Sequence, residues 1–199
     1  MRRTAWWGWL SSVAAPVLLI GGWTLAAAAQ PGFDSVAQTV SALSARGAQD
    51  RWVMTAALSG LGVCHLITSV ALRPAATPGR VVLGIGGVAT VLVAVFPLPA
   101  DDSGSAAHTV AAAVAFTSLA VWPAAAGQRR RPLPWGLRAG VCAAATVLLL
   151  TGLGWFVAEL VAHGSHVGLA ERVAAGSQAL WPLAVVATTR PGRRSRSDR

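Results

Sequence analysis

The chain has 199 residues, of which 54% are hydrophobic and only 12% charged. A soluble domain carries about twice that charged fraction, so the composition excludes a water-covered globular surface and points to lipid. The net charge of +9 does not indicate nucleic acid, whose binders gather basic residues on one folded face with aromatics between them; here the basic residues flank apolar runs, so the expected partners are membrane lipids.

A spanning helix needs roughly 20 predominantly apolar residues, and six stretches qualify. The chain opens with Arg2 and Arg3 and runs apolar from about Trp7 to Ala28. A first long connector, Gln30 to Arg51, contains Thr39-Val40-Ser41-Ala42-Leu43-Ser44, long enough for a short helix lying in the interface. The second span, Val53 to Leu72, leads past Arg73 and Arg80 to the third, Val81 to Leu98. A short connector, Pro99 to Ser105, carries Asp101 and Asp102 into the fourth span, Ala106 to Ala126. Arg129, Arg130, Arg131 and Arg138 mark the entrance to the fifth, Leu137 to Ala158. The connector Glu159 to about Ala170 holds His163 and His166. The last span, Val173 to Thr188, is short unless Leu169 to Arg172 begins the same helix.

All 16 basic residues are arginines, and 13 of them fall in one alternating set of gaps. The other set holds Arg46, Arg51 and Arg172, together with every acid except Asp198. Cytoplasmic loops keep their positive charge during insertion, so the alternation orients all segments at once. The expected fold is an all-α polytopic bundle of six transmembrane helices in a cell membrane, both termini cytoplasmic. It forms a single domain over residues 1–189, followed by an arginine-rich tail, residues 190–199, expected to be disordered and lipid-touching. Tryptophan favours the headgroup level, which places Trp6, Trp7, Trp9, Trp122 and Trp135 at the inner boundary and Trp52 and Trp155 at the outer one; Trp181 lies deeper, between helices.

The first span has a second reading. Arg2, Arg3, an apolar run and Ala26 to Ala29 resemble a secretory signal peptide, but the run exceeds the usual core of about 7–15 residues, which favours a retained helix. Gly60, Gly62, Gly84, Gly86, Gly87, Gly152 and Gly154 read as positions of close helix approach. Cys64 and Cys142 read as small core residues with no disulfide framework. His65, alone within the second span, reads as hydrogen-bonded to a neighbouring helix rather than as a haem ligand, which would need a facing partner at its depth.

Polar groups in or near lipid are costly and mark candidate sites. On the arginine-poor side these are Ser41, Asp102, His108, His163, His166, Glu171 and Arg172. Asp102 and His108 are six residues apart across a Ser-Gly-Ser turn, a spacing that suits a carboxylate orienting a histidine or two ligands of one metal. Zinc takes three or four such ligands, which His163, His166 or Glu171 would complete; no cofactor is otherwise expected. The plainer expectation is that Asp101 or Asp102 caps the fourth helix. Arg172, against the charge rule, is expected to pair with an acid such as Asp102 or Glu159.

The order of these residues resembles the domain of unknown function 998 family, compact proteins with about six spanning helices, common in bacteria and archaea. The likeness is carried by Val40-Ser41-Ala42-Leu43 with Gly47 and Trp52, by Phe96, Pro97, Asp101 or Asp102 and His108, and by Glu171 with Arg172. The chain has Ala42 where members often carry an acid, and Leu98, Pro99 and Ala100 lengthen its Pro-to-Asp spacing. The resemblance implies six helices, in this case in a bacterial plasma membrane, and no activity.

Three functional expectations follow. The first is an outer-face polar pocket for a lipid or small ligand, lined by Ser41, Asp102, His108, Glu171 and Arg172. The second is a metal-dependent hydrolase at the outer leaflet, with Asp102, His108 and Glu171 as catalytic candidates and Arg172 holding an anionic headgroup. The third is a non-enzymatic accessory or scaffold subunit whose polar cluster only locks the loops. A transporter would need paired broken helices with charges near the midplane, which the sequence lacks.

Overall fold

The structure, a computed structural model, describes residues 4–100, 104–129 and 132–189. Asp101, Asp102, Arg130, Arg131 and the tail from Arg190 lie outside the described residues. Six helices follow in order: α1 (Trp6–Ala29), α2 (Trp52–Ala71), α3 (Thr77–Val95), α4 (Ala106–Ala126), α5 (Ala139–Val161) and α6 (Val167–Thr188). Among the described residues there is no strand, only an isolated bridge between Gln128 and Arg138.

Helices α1 to α5, 19 to 24 residues each, are long and apolar enough to cross a bilayer; at about 1.5 Å per residue they run roughly 30 Å. Their length and composition are those of a multi-pass membrane protein. Helix α6 has 22 residues but is the least apolar of the six, carrying Glu171, Arg172 and Gln178.

The helices pack as a ring in chain order, α1 on α2 through to α5 on α6, closed by α1 on α6. Thr4 Oγ1 and Thr189 Oγ1, 2.8 Å apart, bring both ends of the described chain to one face. Lipid offers no hydrophobic drive for helix association, so close backbone approach must supply the contact. Gly62 and Gly87 do this reciprocally between α2 and α3: a Cβ on Gly62 would stand 2.5 Å from the Gly87 carbonyl oxygen, and one on Gly87 would stand 2.7 Å from that of Gly62. Gly154 has open space instead, so it is no packing position.

Helix ends are closed by side chains where backbone partners run out. Arg80 donates from Nε to the Ser69 carbonyl at 2.8 Å and from Nη2 to that of Val70 at 3.1 Å, closing α2. The cap of α4 is Ser105, whose Oγ accepts from the His108 N–H at 3.3 Å; it fills the role expected of Asp101 or Asp102.

Two further expectations are corrected. The interfacial helix is a single 3-10 turn, Ser41–Ser44, with Leu43 and Ser44 buried; it drops into the bundle because Leu43 and Val40 join the core around Leu19 and Met54. Trp122 is fully buried with Leu72, Leu83 and Leu119, so it packs inside the bundle and not in an exposed belt, whereas Trp6, Trp52 and Trp135 are exposed. The last helix takes the longer of its two expected extents: it begins at Val167 and includes Leu169 to Arg172.

Candidate functional site

Two adjacent residues of α6 fasten the first connector across the top of the bundle. Glu171, 3% exposed, accepts from the Val40 backbone N–H at 2.5 Å through Oε2 and from Ser41 Oγ at 3.1 Å through Oε1. A buried carboxylate is tolerated where donors satisfy it, and these two come from the start of the 3-10 turn. Arg172 turns the other way. Its Nη1 donates to the carbonyls of Ser35, Gln38 and Gly168 at 2.8, 2.9 and 2.9 Å. The guanidinium lies 6.0 Å from the Trp23 ring centroid and 5.7 Å from that of Phe33, within cation–π range. The acids whose charge acts on it are Glu171 and Asp34; Glu159 is engaged elsewhere, accepting from the His166 N–H at 3.0 Å. Of the two expected acid partners, Asp102 lies outside the described residues; within them Nη1 is held by the Ser35 and Gln38 carbonyls of the connector and the Gly168 carbonyl of α6. Gly168 makes this possible, since its missing side chain admits the Gln38 and Ser35 carbonyls against α6.

His108, 5% exposed, sits in the first turn of α4 with Nδ1 2.9 Å from the Phe96 carbonyl oxygen. A carbonyl only accepts, so Nδ1 carries the proton and, in the neutral ring, Nε2 is an acceptor.

Ser41, His108 and Glu171, scattered in sequence, line one cavity of about 320 Å³ between α4, α5 and the connector. Its wall is otherwise largely apolar, built from Ala112, Phe116, Leu153, Phe156, Val157 and Leu160. Phe116 and Phe156 meet across it with ring centroids 5.3 Å apart. Arg172 is not among the lining residues. Asp102 lies outside the described residues, and His163 and His166 are exposed on the α5–α6 connector, away from His108's cavity. Among the described residues no three His, Cys, Asp or Glu side chains gather as a metal site; the expected zinc set starts from Asp102 with His108, and Asp102 lies outside the described residues.

The polar end of the cavity mixes acceptors and donors. The Glu171 oxygens take hydrogens from the Val40 N–H and the Ser41 hydroxyl, His108 offers Nε2, and the hydroxyls of Thr39, Thr109 and Thr117 also border the cavity. Such an end suits a group that both donates and accepts hydrogen bonds, a hydroxyl or an amine. Sequence reasoning missed the aromatic walls Phe116 and Phe156, which a helical spacing of apolar residues does not distinguish from core. It also missed Gln178, at 1% exposure in α6, whose Nε2 donates to the Phe116 carbonyl at 3.1 Å.

The family model described as protein of unknown function (DUF998) matches residues 13–188. The chain belongs to the DUF998 family. The match runs from within α1 to the end of α6, so the ring of helices and the fastened connector are together the family's domain. No curated protein and no solved structure matches this DUF998 chain.

Proposed function

We propose that this DUF998 protein crosses the cell membrane six times with both termini in the cytoplasm, and that the cavity between α4 and α5 binds an amphipathic lipid at the outer leaflet. The observation that carries the reading is the convergence of Ser41, His108 and Glu171 at one end of an otherwise largely apolar cavity of about 320 Å³. That is the layout of a site that buries a chain and orients a head. The polar end selects a headgroup bearing a hydroxyl or amine. Arg172, whose Nη1 holds the Ser35 and Gln38 carbonyls of the connector and which does not line the cavity, positions the connector rather than the lipid head.

The orientation rests on the arginine alternation; α6, though less apolar, spans because its charged pair sits under the connector. Native mass spectrometry of the purified protein with diacylglycerol or phosphatidic acid of the same acyl chains tests the headgroup. Retention of diacylglycerol several-fold above phosphatidic acid, lost in His108→Ala, is the expected result. Equal retention, or a preference for phosphatidic acid, contradicts it.

The scaffold reading draws on the same fastening of connector to α6, and the two are separated by ligand retention. The hydrolase reading would route water activation through Asp102 and His108 on a metal. Metal analysis of wild type beside His108→Ala tests it, and it requires stoichiometric metal in the wild type.

A further inference from the structure

A second cavity lies deeper, at the centre of the ring. It is about 50 Å³ and is lined by His65, Thr90 and Gln178 among apolar side chains. His65 is 0% exposed, and among the described residues neither Nδ1 nor Nε2 has a hydrogen-bond partner. Gln178 is 1% exposed and its Oε1 is likewise unpartnered among them. A neutral imidazole carries one donor and one acceptor, and an amide oxygen accepts twice. Burying these groups unpaired in a bundle that also lacks surrounding water is costly. One volume near 50 Å³ serves all of them, and a cavity needs about 10–15 Å³ for each water it holds.

We infer that this central cavity is a water site, holding about three water molecules that hydrogen-bond His65 and Gln178 and link them to Glu171. The link follows from the lining, since Ser41 and Glu171 border both this cavity and the outer one. Thr90 supplies a further acceptor, because its hydroxyl hydrogen goes to the Gly86 carbonyl at 2.8 Å. The waters join the two titratable groups that line the cavity, His65 and Glu171, and open the bundle centre to proton exchange from the outer pocket. The inference stands whether or not a lipid occupies that pocket.

X-ray radiolytic hydroxyl-radical footprinting of the full chain in detergent reads it directly, because radicals form from water and modify the side chains beside it. The expected result is dose-dependent oxidation of His65, Leu61 and Leu19 in wild type at millisecond exposure, despite their burial. Replacing His65 and Gln178 together by Leu abolishes the modification at Leu61 and Leu19. Absence of modification at all three wild-type positions, at doses that oxidise the exposed His163 and His166, overturns the inference without reference to any variant.

Discussion

At the scale of single residues, Glu171 holds the most. Its two oxygens satisfy the Val40 N–H and the Ser41 hydroxyl, so Glu171→Leu leaves the buried Val40 N–H unpaired at about 1–3 kcal/mol and removes the partner of the half-buried Ser41 hydroxyl. Glu171→Gln is different: its amide oxygen accepts from Val40 while its amide nitrogen donates to Ser41, whose hydroxyl reverses role. Thermal unfolding in detergent, followed by tryptophan fluorescence, is expected to show a marked drop for the Leu variant and a small one for the Gln variant. A Leu variant as stable as wild type would refute the account of Glu171. The sequence marked Glu171 and Arg172 as polar residues entering a helix, and so as candidates. It could not show that Arg172's partners are carbonyls, since every residue has one and none is flagged by type. His65 read from the sequence as hydrogen-bonded to a neighbouring helix, but among the described residues neither ring nitrogen has a partner, which depends on packing between helices that the sequence does not show.

Secondary-structure elements were more legible, because arginine-bearing gaps and apolar length both report on the bilayer. Span ends agree with the observed helices to within a few residues for α1, α2, α4 and α5. The third helix starts earlier, at Thr77, where Pro78 suits a helical first turn. The sixth takes the longer of its two expected extents and begins at Val167, ahead of charges that the connector covers. The 3-10 turn sinks into the bundle for a reason that periodicity over four residues cannot carry: Leu43 finds a core place beside α1 and α2. Two element-scale tests follow. Gly87→Ala places a methyl against the Gly62 carbonyl and is expected to cost about 1–3 kcal/mol by overpacking, while Gly154→Ala, in open space, leaves the unfolding midpoint within about a degree or raises it slightly. Equal effects of the two would contradict the α2–α3 contact. Arg172→Ala releases the Ser35 and Gln38 carbonyls, and hydrogen exchange of residues 33–41 is expected to accelerate at least tenfold, with α3 and α4 unchanged; unaltered exchange there would show that Arg172 does not hold the connector.

At the scale of the whole molecule, the account joins an oriented bundle to a pocket near one face. Ser165 lies on the exposed α5–α6 connector and Thr189 at the terminal face. In intact cells Ser165→Cys is expected to react with a membrane-impermeant maleimide, and Thr189→Cys only after permeabilisation; the reverse pattern would invert the assignment of faces. The pocket itself is tested most directly by photo-crosslinking with a diacylglycerol bearing a diazirine in its acyl chain, with adducts mapped by mass spectrometry. Ala113 is an exposed residue that lines the cavity, so Ala113→Trp fills it without entering the core. The account predicts wild-type adducts concentrated on residues 109–117 of α4 and 153–160 of α5, reduced at least several-fold in Ala113→Trp at an unchanged unfolding midpoint. Adducts spread evenly over the lipid-facing helices, or an undiminished yield in Ala113→Trp, would contradict it.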